Sequence, residues 1–203
     1  LKGRLVSPNE WDKLIQNKKT KILDVRNIYE IDIGKFDKSI SANTNNFREF
    51  TDKFEALNMK RDAEIAMYCT GGIRCEKASS YLKKIGYKNV FQLDGGILNY
   101  LDYKNSNKKS KTYWKGECFV FDDRVAINSN LQKGAYFQCY GCRNAITKKD
   151  IMSKLYKKGV YCPKCYYLRS YKQKKSSETR QFQIELNRKR KFQKTSKFLN
   201  QNL

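Results

Sequence analysis

The chain has 203 residues, enough for one domain of ordinary size and a smaller appendage, with 39% hydrophobic residues and a formal charge of +23. Seven Cys stand beside no His, which excludes Cys–His and Ser–His–Asp catalysis, His-containing metal triads and the HExxH zinc site. No apolar stretch reads as a secretory signal or a transmembrane span, so the expectation is a cytoplasmic chain with no membrane partner, using thiols for chemistry and metal ligation.

Ser7-Pro8-Asn9-Glu10 opens the first helix with a capping box, and Trp11, Leu14 and Ile15 line one of its faces. Ile22-Leu23-Asp24-Val25 reads as a short buried strand, followed by a polar loop from Asp24 to Glu30. Asn46 caps a second helix, with Glu49 three residues on and Phe47, Phe50, Phe54 and Leu57 at helical spacing as core. Ile65-Ala66-Met67-Tyr68 is the next strand and runs into Cys69-Thr70-Gly71-Gly72-Ile73-Arg74, then a helix to about Lys84, ended by Gly86. Val90-Phe91-Gln92-Leu93 is another strand, followed by Asp94-Gly95-Gly96 and a short helix through Leu101. This rhythm predicts an α/β core domain with a mostly parallel sheet and flanking helices, residues 1–103. Active loops of such sheets lie beyond the C-terminal ends of strands, where Cys69 falls.

Residues 104–133 read as a polar linker, with five lysines over 104–116, and an added strand at Phe119-Val120-Phe121. Residues 134–168 form a Cys-bearing module, and 169–203 a basic tail expected to be loosely ordered or helical only on binding. Charge is unevenly spread: residues 1–100 carry a net +5, whereas residues 101–203 hold 25 basic and 7 acidic residues, a net +18. The second value is a concentrated field suited to a polyanion, nucleic acid foremost.

A thiolate near neutral pH needs local positive potential. The Cys69 loop opens a helix whose first amides lack intrahelical partners, and Gly71-Gly72 permits successive N–H groups to turn inward as an anion nest. Arg74 can close the ring with a guanidinium fork, so Cys69 and Arg74 are the candidate catalytic pair, on a loop completed by Thr70, Gly71, Gly72 and Ile73. Six residues from Cys69 to Arg74 make a ring one residue shorter than the Cys-x5-Arg loop of cysteine phosphatases, better matched to sulfur or another compact group than to a phosphate monoester. Cys75 in the first helical turn is read as a packing residue, or else as one that resolves or tunes Cys69. Asp24, Arg26 and Glu30 are expected to form an ion-pair network bracing this side, and Asp94 to cap the following helix and hold the neighbouring loop.

Cys139-x2-Cys142 and Cys162-x2-Cys165, separated by 19 residues, can gather four thiolates in the tetrahedral set that zinc favours, so a structural zinc is expected. Aromatic residues near the knuckles (Tyr136, Phe137, Tyr140, Tyr161, Tyr166, Tyr167 and Tyr171) could stack on exposed RNA bases where they are not core. The run Arg188-Lys189-Arg190-Lys191 is suited to phosphates, which position an RNA without reading its bases.

Asp24-Val25-Arg26, Glu30 and the Cys69 loop together resemble a rhodanese domain. More closely, CTGGIRCEKAS at 69–79, the run ending LDGGI at 87–97, FVFDDR at 119–124 and the downstream Cys pairs resemble the bacterial tRNA uridine(34) hydroxylase family over almost the whole chain. The resemblance implies a rhodanese-like catalytic domain at 1–103 and oxygen-dependent 5-hydroxylation of the wobble uridine in the tRNA anticodon region, with Cys69 at the position of the essential cysteine. It also implies an N-terminal domain ahead of the rhodanese part; this sequence, which opens on Leu1, has no counterpart of it, and a missing N-terminal part is the expectation. Where rhodaneses often carry Gly-His, this chain has Gly34-Lys35, in keeping with its lack of His. Molecular oxygen is the expected co-substrate, and no flavin, nicotinamide or iron motif is visible. Two alternatives remain at this level: a sulfurtransferase working through a Cys69 persulfide, and a non-catalytic RNA-binding remnant.

Overall fold

A computed structural model describes residues 2–107 and 111–200, and for 191–200 the backbone alone. The chain enters as a strand absent from the sequence reading, β1 (Arg4–Val6), and turns at Ser7 into α1 (Pro8–Gln16). The predicted capping box closes: Glu10 N donates to Ser7 Oγ (3.3 Å) and Ser7 N to Glu10 Oε2 (3.0 Å). After β2 (Lys21–Asp24), the segment read as a polar loop tightens into a helical turn, α2 (Ile28–Ile31), because Glu30 Oε2 accepts from Asn27 N (3.1 Å). Two short strands follow, β3 (Gly34–Phe36) and β4 (Ile40–Ser41). Asn46 caps as predicted, but the first turn it caps is 3-10 (Phe47–Glu49), leading into α3 (Phe50–Glu55). Then come β5 (Ile65–Tyr68), α4 (Ile73–Lys84), β6 (Val90–Leu93) and α5 (Gly96–Ser106), the last five residues longer than expected.

Five strands in the order β1-β6-β5-β2-β4, all parallel, make the central sheet. Its middle strands are buried on both faces, and the period of two sorts their side chains. Along β5, Ala66 and Tyr68 join a cluster with Trp11, Phe36, Leu93 and Tyr100, whereas Ile65, Met67 and Cys69 join Leu23, Phe50, Phe54 and Leu82 on the other side. Phe47, Phe50 and Phe54 stack in series (5.7 Å between successive rings), which makes the aromatic stripe core packing.

Residues 104–116, read as a linker, end α5 and supply β7 (Trp114–Gly116), antiparallel to β3. Trp114 packs on Phe36 (5.1 Å), and the buried Lys104 ammonium pairs with Asp12. A lysine-rich stretch looks solvated in sequence; these partners lie far away along the chain. The expected strand at 119–121 is shorter: β8 (Cys118–Phe119) pairs antiparallel with β9 (Ala126–Ile127), and Phe121 lies in the turn between them.

The chain divides into two compact units, Leu1–Ala135 and Tyr136–Leu203. The second contains β10 (Phe137–Gln138), β11 (Ala145–Ile146), α6 (Lys148–Ile151) and a long helix, α7 (Tyr171–Asn200). The tail, expected to be loosely ordered or helical only on binding, is helical from Tyr171 to Asn200. It carries no Gly or Pro between 171 and 200 and is rich in Lys, Arg, Gln and Glu, all good helix formers. Its first turns are also anchored: Arg169 donates to Ser177 Oγ (2.7 Å), and Arg180 to the Tyr140 and Gly159 carbonyls (2.9 and 3.0 Å). Among the described residues no helix is long and apolar enough to cross a membrane.

Candidate active site and the four-cysteine centre

Cys69 follows the last residue of β5, and the loop must reverse direction to start α4 within four residues. Gly72 makes that possible at φ +90°, a region costly for any side chain. Its N–H then donates to Cys69 Sγ (3.2 Å). The loop's outward carbonyls are held from behind by α5: Ile97 N donates to Cys69 O (3.0 Å) and Leu98 N to Thr70 O (3.1 Å). A Cβ on Gly96 would collide with the Cys69 carbonyl oxygen, so glycine is required at this close approach. The hold on the active loop expected of Asp94 thus comes from the Gly95-Gly96 turn and the first amides of α5. Asp94, expected to cap α5, is exposed, and the cap position belongs to Gly95 at φ +61°.

The Cys69 thiol is pulled down to about 6. The largest cause is a hydrogen bond from the Cys75 thiol; burial opposes it, and the amides of Cys75 and Arg74 and the Arg74 charge add to the lowering. Cys75 itself is fully buried and pushed well above the ordinary thiol range by that burial and by its bond to Cys69, so it stays a neutral donor. Replacing Cys75 with Ala should therefore move the midpoint of Cys69 alkylation upward from about 6, read as iodoacetamide labelling rate against pH. An unmoved midpoint would show that the amides and Arg74 suffice.

Arg74 does not direct its fork at Cys69. Its two terminal nitrogens grip Glu30 (2.6 and 2.7 Å), with Glu30 fully buried. Burial works against the Arg74 charge, but the Glu30 carboxylate outweighs it and keeps the guanidinium protonated. Thr70 Oγ1 lies between them, 3.4 Å from Glu30 and from Arg74. Asp24 and Arg26 form a second pair, bidentate at 2.9 and 2.7 Å and wholly buried, and Arg26 continues to the Glu30 and Gly34 carbonyls (3.3 and 2.7 Å). The expected network is thus two linked pairs, and Arg26 braces the end of β2 against β3.

A cavity of about 400 Å3 opens on this loop, within the usual range for small-molecule sites. Cys69, Thr70, Gly71, Ile73 and Arg74 line one side, and Val120, Phe121, Asp122 and Arg124 line another. Ile73 and Phe121 are large apolar side chains left 76% and 68% exposed, an arrangement that leaves apolar surface free at the cavity. Phe121 also lies over the Arg74 guanidinium (5.8 Å). Val125 holds φ +65°, a strained setting for a β-branched residue, pinned by Val120 N to Val125 O (2.9 Å) and Val125 N to Asp122 O (3.1 Å). The FVFDDR run was legible as a motif; its place beside Cys69, some fifty residues away along the chain, was not.

In the second unit the four predicted cysteines converge, all sulfurs lying within 4.8 Å of one another. Cys139 and Cys165 are 4.0 Å apart, Cys142 and Cys162 3.8 Å, and Cys162 and Cys165 3.8 Å. The Asn144 amide donates to Cys142 Sγ (3.2 Å) and the Cys162 N–H to Cys165 Sγ (3.3 Å), the kind of outer support that orients thiolate ligands. A Cβ on Gly141 would strike the Val160 carbonyl, which fixes the tightness of the first knuckle. The group can hold a metal ion. Arg188, Lys189 and Arg190 are exposed on α7; the side chain of Lys191 lies outside the described residues.

Residues 7–103, which hold most of the parallel sheet and the thiolate loop beyond β5, match the family model for the Rhodanese-like domain. Among solved structures, a rhodanese-related protein from Thermoplasma volcanium is similar at 25% identity and a TM-score of 0.42, covering 49% of this chain and 92% of that one. Reduced CoADR-RHD of Bacillus anthracis is similar at 28% identity and a TM-score of 0.43, covering 51% and 17%. Over 188 residues the chain is homologous to the tRNA uridine(34) hydroxylase of Pelagibacter ubique (strain HTCC1062), at 47% identity and across 93% of this chain. It spans 61% of the length of that relative.

Proposed function

We propose that this protein hydroxylates C5 of the wobble uridine of tRNA with Cys69 as nucleophile. The observation that carries the reading is a stabilised thiolate beside an open cavity, in a chain 47% identical to a tRNA uridine(34) hydroxylase. The Cys69 thiolate adds to C6 of the uracil ring, and the electron pair moves to C5 and the adjoining carbonyl. The loop amides and the Arg74–Glu30 pair hold the charge of the loop while this occurs. Molecular oxygen is the co-substrate: one atom goes to C5 and the other leaves as water, with two electrons and two protons from an external donor. Loss of the C5 proton and of the thiolate from C6 restores the double bond. Nucleoside mass spectrometry of tRNA exposed to the protein and oxygen tests this, with 5-hydroxyuridine at the wobble position as the expected product.

The four-cysteine group is read as a structural zinc site. A Zn–S bond of about 2.3 Å places tetrahedral sulfurs about 3.8 Å apart; three of the separations, at 3.8 to 4.0 Å, fit that spacing, and all lie within 4.8 Å. Bound there, zinc would cross-link the two knuckles; it supplies no step of the hydroxylation. The basic run of α7 is read as a phosphate-binding segment for the anticodon arm. Neutralising Arg188, Lys189, Arg190 and Lys191 together should weaken tRNA binding and flatten its salt dependence by roughly three units of slope if all four touch phosphates. An unchanged slope, measured by titration at several salt concentrations, would remove that role. A cytoplasmic location, where thiols stay reduced, belongs to the same reading.

The six-residue loop also suits a persulfide, and sulfur transfer is the second reading. A Cys69 persulfide seen by intact mass, with no hydroxylated wobble base, would favour it.

A further inference from the structure

We infer that the turn from Phe121 to Arg124 is the uracil-recognition wall of the Cys69 cavity, with Phe121 as its stacking face and Asp122 and Arg124 reading the edge of the base. This rests on the hydroxylase reading and names the side chains that would select its substrate ring. Phe121 lines the cavity yet leaves 68% of its surface exposed, and Ile73, on the same cavity, is more exposed still. Two large apolar groups stand exposed beside a reactive thiolate, and a flat heterocycle laid on Phe121, with its other face toward Cys69 and its edge along Ile73, would cover them. Phe121 is also held at its base: its ring packs edge-on against Phe119 (5.2 Å), which is buried and in turn meets Tyr29 (5.3 Å).

The polar part of the wall is the pair that follows. Arg124 grips Asp122 through Nε (3.1 and 3.2 Å) and Nη2 (2.6 Å), and both side chains are about half exposed. At that exposure the pair contributes little to folding. Both residues line the Cys69 cavity, where a carboxylate acceptor beside a guanidinium donor matches the N3–H and adjacent carbonyl of uracil. Cytosine has no N3–H, so Asp122 would face an unprotonated acceptor and reject it. The strained backbone at Val125 holds the turn that presents these groups.

Fluorescence titration of the full chain with three anticodon stem-loops, carrying U, C or an abasic site at the wobble position, tests the proposal. The wild type should prefer U over the abasic stem-loop by about tenfold, the scale of one base stacked on an aromatic ring. Phe121→Ala should lose that preference while keeping its affinity for the abasic stem-loop, and Phe121→Tyr should restore it. Asp122→Ala should keep the preference for a base but bind U and C alike. Circular dichroism melts check that the variants stay folded. A wild type that does not distinguish U from the abasic site, or variants that retain both preferences, would overturn the proposal. If the discrimination follows this pattern but no 5-hydroxyuridine forms, the cavity is a uracil site and the hydroxylase reading alone fails.

Discussion

Under the proposed hydroxylation, Cys69→Ala and Cys69→Ser should both abolish 5-hydroxyuridine formation, with a loss of about a thousandfold or more, as removal of a covalent nucleophile produces elsewhere. The Ser variant is the sharper test because it preserves a nucleophilic atom of similar size. Every device around Cys69 lowers the cost of a negative charge on sulfur: the Gly72 amide at 3.2 Å, the Cys75 thiol, the amides of Arg74 and Cys75, and the nearby guanidinium. These bring a thiol to about 6, but a serine hydroxyl starts far too high for the same devices to ionise it at neutral pH. The pH dependence follows from the same value. The thiolate is the working form, so the rate should be full well above pH 6 and fall as pH drops through about 6. Nucleoside mass spectrometry on tRNA treated with each variant checks the first expectation, and single-turnover rates across pH 5 to 8 check the second. Product from Cys69→Ala at the wild-type rate would end the nucleophile mechanism.

If the four cysteines hold zinc as proposed, its removal should unfold the second unit. The unit's buried apolar side chains among the described residues are few: Ala145, Ile146 and Val160 besides the cysteines, with Ile151, Tyr156 and Tyr161 partly buried around them. A core this thin does not outweigh the conformational entropy of ordering the knuckles, so on the zinc reading folding and metal binding are one event. Replacing Cys162 with Ser removes a ligand that is wholly buried and within 3.8 Å of two other sulfurs. Zinc affinity should fall by more than the roughly 10–100-fold that outer-shell changes cost. Elemental analysis should show one zinc per wild-type chain, and a strong chelator should melt the 136–203 unit, seen as loss of near-ultraviolet signal from its tyrosines. A wild type that keeps that signal after complete metal removal would show the cysteines to be packed thiols. The first unit has its own buried sheet, so Cys69 alkylation should survive chelation.

Local and periodic features were legible in the residues. The capping box at Ser7, the strands at 65–68 and 90–93, the α4 stop at Gly86 and the aromatic stripe from Phe47 to Phe54 depend on near neighbours in the chain, and their patterns survive in one dimension. The cysteine spacing was equally readable, because two knuckles need only their own turns and one ion to meet.

Tertiary packing decided what the charged and connecting residues do. Lys104 looked like linker charge until Asp12 supplied a buried partner from α1. Arg74 looked like the group closing on Cys69 until Glu30, brought in by the short helix after β2, captured both its nitrogens at 2.6 and 2.7 Å. Long charged side chains choose partners across the fold, and no local pattern encodes that choice. The Cys69 loop itself was evident from Cys-Thr-Gly-Gly-Ile-Arg, but a loop stabilises charge without selecting a substrate. Selectivity needs an opposing wall. In the proposed reading that wall is Phe121, Asp122 and Arg124, which reach the cavity from the turn between β8 and β9, where β8 packs beside α2 and β3.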